Sequence, residues 1–319
     1  MKMDRYAATV LTFLYLQSFC FVTGAPLPMK NLVNAAGLFG QNRNPGVQGE
    51  SSTKDVSFPR PTLANSIAGL TNRSDQVFGI YARISAWGHE HTKSDAYSAA
   101  VIQVSNDQGA EYNAIRAGLH TLPSLYKDTK LHLFAQWTTD RDWRTGCYNT
   151  DCPGFVPFKD SYTGIPKPGM VVEALSSYNQ TDSSMILQIV KDERPGIGGD
   201  WWLYRVAGPV RFPLGHWPAS LFASLSRHAT EAAWYGAVGS ARRGDAPPAM
   251  GSGHGPGEGY TRAAYFADIS LMDRMAYPAD PSLRSVAAVA NDERCYKVAV
   301  DAGGGNTFFY GGPVSRFCA

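Results

Sequence analysis

Three stretches of the chain carry residue types from which a chemical site could be built. Gly88-His89-Glu90-His91 sets two histidines two residues apart, so on a strand both would project from one face and could share a metal ion. No third ligand is evident, and the spacing is not the helical one of a zinc protease, so polar residues at a strand end are the favoured account. No metal and no cofactor is expected. The run from Gly251 to Gly259, with Ser252, His254 and Glu258 among five glycines, invites comparison with a phosphate loop or a serine hydrolase. It lacks the Gly-Lys-Ser/Thr ending of the first and the Gly-x-Ser-x-Gly setting of the second, and is read as a mobile loop rimming a cleft. The third stretch, 112–156, holds a close cysteine pair, Cys147 and Cys152, between aromatic-rich apolar runs. The tryptophans Trp87, Trp137, Trp201, Trp202, Trp217 and Trp234 could form a stacking platform for sugar or peptide, although core packing is the commoner role.

The elements that must position these residues are strands. Apolar residues alternate or come in short runs with β-branched and aromatic members, broken by Gly, Pro, Asn and Asp every eight to twelve residues or so. Strands are expected over 77–87, 96–105, 112–120, 131–138, 170–178, 184–191, 201–206, 232–239, 263–272, 295–300 and 307–310, and one helix over 219–230. Many short strands without alternating helices predict an all-β fold, an antiparallel β-sandwich of two sheets in one main domain over 76–319.

Ahead of that domain, Lys2 and Arg5 precede an apolar run ending at Gly24 and Ala25, the pattern of a signal peptide over 1–24. Residues 25–75, rich in Asn, Gly, Pro, Ser and Gln, read as a low-complexity N-terminal tail or short pro-segment. The expected product is soluble and secreted to the extracellular space, with no membrane span. The net charge is +2 with scattered Lys and Arg, which argues against a nucleic-acid partner. Without the leader, Cys147, Cys152, Cys295 and Cys318 remain, an even count that argues for two disulfides in an oxidising compartment. Three connectivities are open; the grouping favours Cys147 with Cys152 and Cys295 with Cys318, and a zinc site is the competing reading. Asn72 and Asn179 head glycosylation sequons.

Several motifs in fixed order carry a resemblance. They are Ile115-Arg116-Ala117-Gly118, Phe134-Ala135-Gln136-Trp137-Thr138, Gly146-Cys147-Tyr148-Asn149 with Cys152-Pro153-Gly154-Phe155-Val156, and Gly215-His216-Trp217-Pro218. Beyond these come Trp234-Tyr235-Gly236-Ala237-Val238, Met250-Gly251-Ser252-Gly253, Cys295-Tyr296 and Phe309-Tyr310-Gly311-Gly312-Pro313 with Cys318. From about Val77 to its end the chain resembles the neprosin-type proteins, a plant secreted group named for a glutamic endopeptidase that cleaves after proline. The resemblance implies a two-sheet sandwich, an extended substrate cleft, the disulfide pairing above, and in active members two glutamates on the cleft floor. Those glutamates lie in Ile-Glu-Ala-Gly and Trp-Gly-Gly-Glu-Val segments, so the dyad positions here are Arg116 and Ala237, neither of them acidic. Active relatives also carry a longer structured pro-region than residues 25–75 offer.

The implied function is therefore a catalytically impaired pseudopeptidase, kept as a binder of extended, proline-containing peptide or a cell-wall ligand in the apoplast, wall or vacuole. An active acid endopeptidase using relocated acids is one alternative, with Glu111, Glu173, Glu231, Glu258 and Asp268 as the acids weighed. A carbohydrate-binding wall protein is the other.

Overall fold

The computed structural model describes residues 64–318 apart from 110, 142–144, 160, 161, 163, 194–198, 241–247, 280–285, 304, 305 and 315–317. The expected leader and the tail as far as residue 63 lie outside the described residues. Two antiparallel sheets are stacked face to face, as the strand pattern requires. The first, sheet A, runs β14 (Val286–Ala290), β1 (Ala64–Val77), β11 (Ala229–Ser240), β3 (Ala96–Asp107), β4 (Tyr112–Thr121), β5 (His132–Thr138) and β6 (Gly146–Tyr148). The second, sheet B, runs β15 (Lys297–Val300), β16 (Phe308–Gly311), β12 (Ala264–Met272), β2 (Gly79–Ser85), β8 (Ser184–Lys191), β9 (Trp201–Ala207), β10 (Val210–Trp217) and β7 (Val156–Pro157), with β13 (Pro278–Ala279) beside β12.

Alternation along each strand decides which side chains enter the space between the sheets. On β4 these are Ile115, Ala117 and Leu119; on β2 they are Ile80, Ala82 and Ile84; all are buried. Trp201, Trp217 and Trp234 are wholly buried in the same core, and Trp234 Nε1 donates across the sandwich to Tyr81 O at 3.1 Å. Of the expected stacking platform only Trp202 is more than marginally exposed, since Trp87 and Trp137 are also buried.

The outer face of sheet A is buried as well. Tyr97, Ala99, Val101, Phe134, Tyr235 and Ala237 form a second apolar cluster there, which is why β3, β4 and β5 read as nearly continuous apolar runs. Close strand approach explains Gly118, where an added Cβ would sit 1.9 Å from Ala100 O on β3. Gly118→Ala must therefore push β3 and β4 apart, and is expected to cost at least about 3 kcal/mol in urea denaturation.

Four expectations need correction. The tail does not reach residue 75: β1 begins at Ala64 and pairs with both β11 and β14, because backbone hydrogen bonds stabilise a strand whose own apolar pattern is weak. Asn72 consequently lies within a paired strand, 3% exposed, where a glycan has no room. Residues 170–178 form no strand: Val171 makes a single bridge to His132, and the segment then crosses irregularly to Ala86, whose carbonyl accepts from Ser176 N. The expected helix over 219–230 is two 3₁₀ turns, Ala219–Leu221 and Ser224–Ser226, followed by β11. Asn113 Oδ1 captures Ser224 N at 2.8 Å and Leu225 N at 3.2 Å, a side-chain competitor to helix formation.

Cys147 bonds Cys152 with Cα atoms 5.9 Å apart, and Cys295 bonds Cys318 at 5.4 Å, the pairing expected from the grouping. The first closes the turn after β6, and the second ties the C-terminus to the segment before β15.

Candidate functional site

Strand register builds the site. Arg116 on β4 pairs with Gln103 on β3, and Ala237 on β11 pairs with Ala99 on β3. Directly paired residues project to the same side, and Ala99 and Gln103 are an even number apart, so Arg116 and Ala237 share the outer face of sheet A. Both line one cavity of about 20 Å³, space for a water or two, together with Tyr97, His120, Gln136, Tyr148 and Tyr235. The two positions are nevertheless offset along the sheet. Across β3 from Arg116 lies Ala233, and across from Ala237 lies His120. Two strand spacings and four residues separate the Cα atoms of Arg116 and Ala237 by roughly 16 Å.

Arg116 is 2% exposed. Its Nε donates to Gln103 Oε1 at 2.7 Å, and Tyr235 OH donates to the same oxygen at 2.9 Å. Burial raises the pKa of the Tyr235 and Tyr97 phenols, and pushes Tyr148 up to about 12, with the charge of Arg116 opposing in each case. The phenols therefore stay neutral around a buried cation.

His120 closes the other end. Its ring stacks on Phe134 at 4.2 Å, and its Nε2 lies 2.8 Å from Tyr126 OH, which accepts from Asn149 Nδ2 at 3.0 Å. Burial, helped by the nearby His132, lowers its pKa to about 3. His132 in turn stacks on Tyr126 at 3.7 Å and is clamped between Gly169 O and Asp128 Oδ1, each at 2.9 Å.

None of the acids weighed from sequence lines this cavity. Glu231 shares the face but lies further along β11, held by Thr71 Oγ1 at 2.9 Å and near Arg73. Glu111 and Glu173 are exposed outside the strands. Glu258 accepts from Tyr178 OH at 2.8 Å and lies 3.1 Å from His254 Nδ1, and Asp268 pairs with Arg83 at 2.9 Å on sheet B.

The other sequence candidates fall elsewhere. His89 and His91 sit in a turn after β2, with His89 Nε2 3.1 Å from Ser98 Oγ, and no group of three His, Cys, Asp or Glu able to hold a metal occurs among the described residues. In the glycine-rich loop Ser252 Oγ accepts from His254 N at 3.2 Å, and Met250 bridges to Gly312.

A family model described as Neprosin matches residues 94–313. The chain belongs to the neprosin family. The matched region contains Arg116, Ala237 and three of the four paired cysteines, whereas β1 and β2 lie ahead of it. Among solved structures, the chain is similar to Scytalido-glutamic peptidase with a peptide-based transition state analog, at 10% identity and TM-score 0.42 over 79% of this chain and 100% of that one. It is also similar to SCP-B, a member of the Eqolisin family of peptidases in complex with the tripeptide Ala-Ile-His, at 10% identity and TM-score 0.39 with the same coverage.

Sequence reasoning singled out Arg116 and Ala237 through the resemblance but did not find their surroundings. Gln103, Tyr97 and His120 were detectable only as residues of matching parity on neighbouring strands, a signal that needs the register to be read.

Proposed function

We propose that this neprosin-family chain is a secreted, non-hydrolytic protein that binds extended, proline-containing peptide on the outer face of sheet A. The observation that carries the reading is the lining of the cavity at the two proposed dyad positions: an arginine, a histidine, one amide, phenols and apolar side chains, with no carboxylate among the described residues that line it. Amide hydrolysis by a glutamic dyad needs one carboxylate to take a proton from water and a second, kept protonated, to polarise the carbonyl or protonate the leaving nitrogen. Arg116 cannot accept a proton near physiological pH, and Ala237 has no group to titrate. His120 lies opposite Ala237, but its lowered pKa of about 3 makes it a weak base and its Nε2 is engaged by Tyr126.

What Arg116 supplies instead is a buried positive charge beneath this face, which favours peptides presenting an anionic group above it. The test is calorimetric titration of the mature protein with a proline-containing peptide, alongside a cleavage assay at pH 4 and pH 7. Binding without turnover is expected, with affinity reduced at least about tenfold by Arg116→Gln. Turnover by the wild type that is abolished by Glu231→Gln, the acid sharing the face, would overturn the proposal in favour of a relocated-acid peptidase.

Secretion rests on the leader pattern over 1–24 and on the two disulfides. Among the described residues no helix is long and apolar enough to cross a membrane. Asn179 is the glycan acceptor in this reading. It stands exposed in a turn at φ +57°, its Oδ1 accepting from Arg262 Nε at 3.1 Å, which leaves the amide nitrogen for the sugar.

A further inference from the structure

The outer face of sheet B, on the far side of the sandwich from Arg116, holds a second and larger pocket of about 350 Å³. Its floor comes from successive strands, with Tyr81 on β2 paired with Gln188 on β8, and Val206 on β9 paired with Arg211 on β10. Tyr204, which pairs with Gln188, lies between them, with its ring 5.2 Å from the Arg211 guanidinium. Trp202 stacks on Tyr204 at 6.0 Å and on His216 at 4.7 Å, so aromatic surface continues beyond the pocket along the same face.

One wall is the turn 275–278, where Met275 is 58% and Tyr277 67% exposed. That exposure is built: Asp273 Oδ1 accepts from both Met275 N and Tyr277 N at 2.9 Å, and Asp273 N donates to Tyr277 O at 3.0 Å. Large side chains held in solvent by a hydrogen-bonded turn at the mouth of a pocket of ligand size indicate a binding surface.

The charge of the pocket narrows the ligand. Among the described residues Arg211 is the one cation that lines the pocket, no carboxylate lines it, and Arg211 makes no ion pair. Arg83, also on this face of β2, is by contrast matched by Asp268 at 2.9 Å. Gln188 accepts from Arg211 Nη1 at 3.4 Å, a long contact that a better acceptor can replace. Flat rings with polar rims suit the apolar face and hydroxyl edge of a sugar ring, and a guanidinium suits a carboxylate.

We propose that this face binds an acidic saccharide chain, with a uronate carboxylate on Arg211 and sugar rings against Tyr81, Tyr204 and Tyr277. The site is independent of the peptide-binding reading, since it uses none of the residues around Arg116.

The test is calorimetric titration of the full mature protein with a linear oligomer of galacturonic acid, its methyl-esterified form, and a neutral glucan oligomer. Binding of the acid form alone is expected, weakened at least tenfold by Arg211→Gln and by Tyr277→Ala. Arg227→Gln, which removes an equal charge from an exposed turn elsewhere, leaves it unchanged. Matching urea midpoints for all variants exclude a folding effect. Absence of binding, equal binding of the neutral oligomers, or binding indifferent to Arg211→Gln would each overturn the proposal.

Discussion

Arg116→Glu combined with Ala237→Glu is expected to yield a peptidase slow but measurable on proline-containing peptides at acid pH, above whatever rate the unaltered chain gives. The gain expected is at least about a thousandfold, since the acid and base roles of a catalytic unit are each worth roughly two to four powers of ten and are not additive. Each single variant should stay inactive, because either change alone leaves one role empty. Glutamate side chains leaning toward each other across β3 would shorten the roughly 16 Å backbone separation by about 5 Å. Loss of the buried guanidinium also enlarges the cavity. A folded, peptide-binding double variant with no turnover would show that two carboxylates at residues 116 and 237 are not enough for catalysis in these surroundings. The matched double change Arg116→Glu with Ala233→Glu, directly opposite in register, would then report whether the four-residue offset is the reason.

Acid is expected to destabilise this fold markedly, and His120 is the main cause. Burial lowers its pKa from 6.5 to about 3. Between pH 6.5 and that value the unfolded chain binds a proton that the folded protein refuses, so stability falls as pH drops through the window and levels off below it. At pH 4 the deficit from this residue alone is about 3 kcal/mol, a large fraction of the 5–15 kcal/mol typical of a domain. His89, lowered to about 4 by burial but with part of its surface exposed, acts in the same direction with a smaller effect. His120→Gln, which keeps a partner for Tyr126 OH but does not titrate, should remove most of the difference between urea denaturation at pH 7 and at pH 4. Equal pH dependence in wild type and variant would assign the acid sensitivity to other groups. The histidine lying across β3 from Ala237 thus makes this chain more stable near neutral pH than in acid.

Local pattern carried much of the architecture. Short apolar and β-branched runs broken by turn residues located most of the strands, including β3, β4, β5, β8, β9 and β12, whether one face or both are buried. Cysteine grouping indicated both disulfides, and ordered motifs indicated the family. Local pattern misled where partners outweigh propensity. The polar β1 is a strand because β11 and β14 flank it, and residues 219–230 are not a helix because Asn113, more than a hundred positions away in sequence, takes two of the amides.

The sequence by itself determined that residues 116 and 237 are an arginine and an alanine, neither of them a carboxylic acid, because residue identity is enough to exclude a titrating carboxyl there. It also determined that alternate residues of each strand share a face. Only the tertiary structure decided who stands opposite whom: Ala233 across from Arg116, His120 across from Ala237, and Tyr81, Gln188 and Arg211 gathered on the other sheet. Strand pairing joins residues distant in sequence, so parity can be read along one strand while register, and the site it builds, exists only between strands.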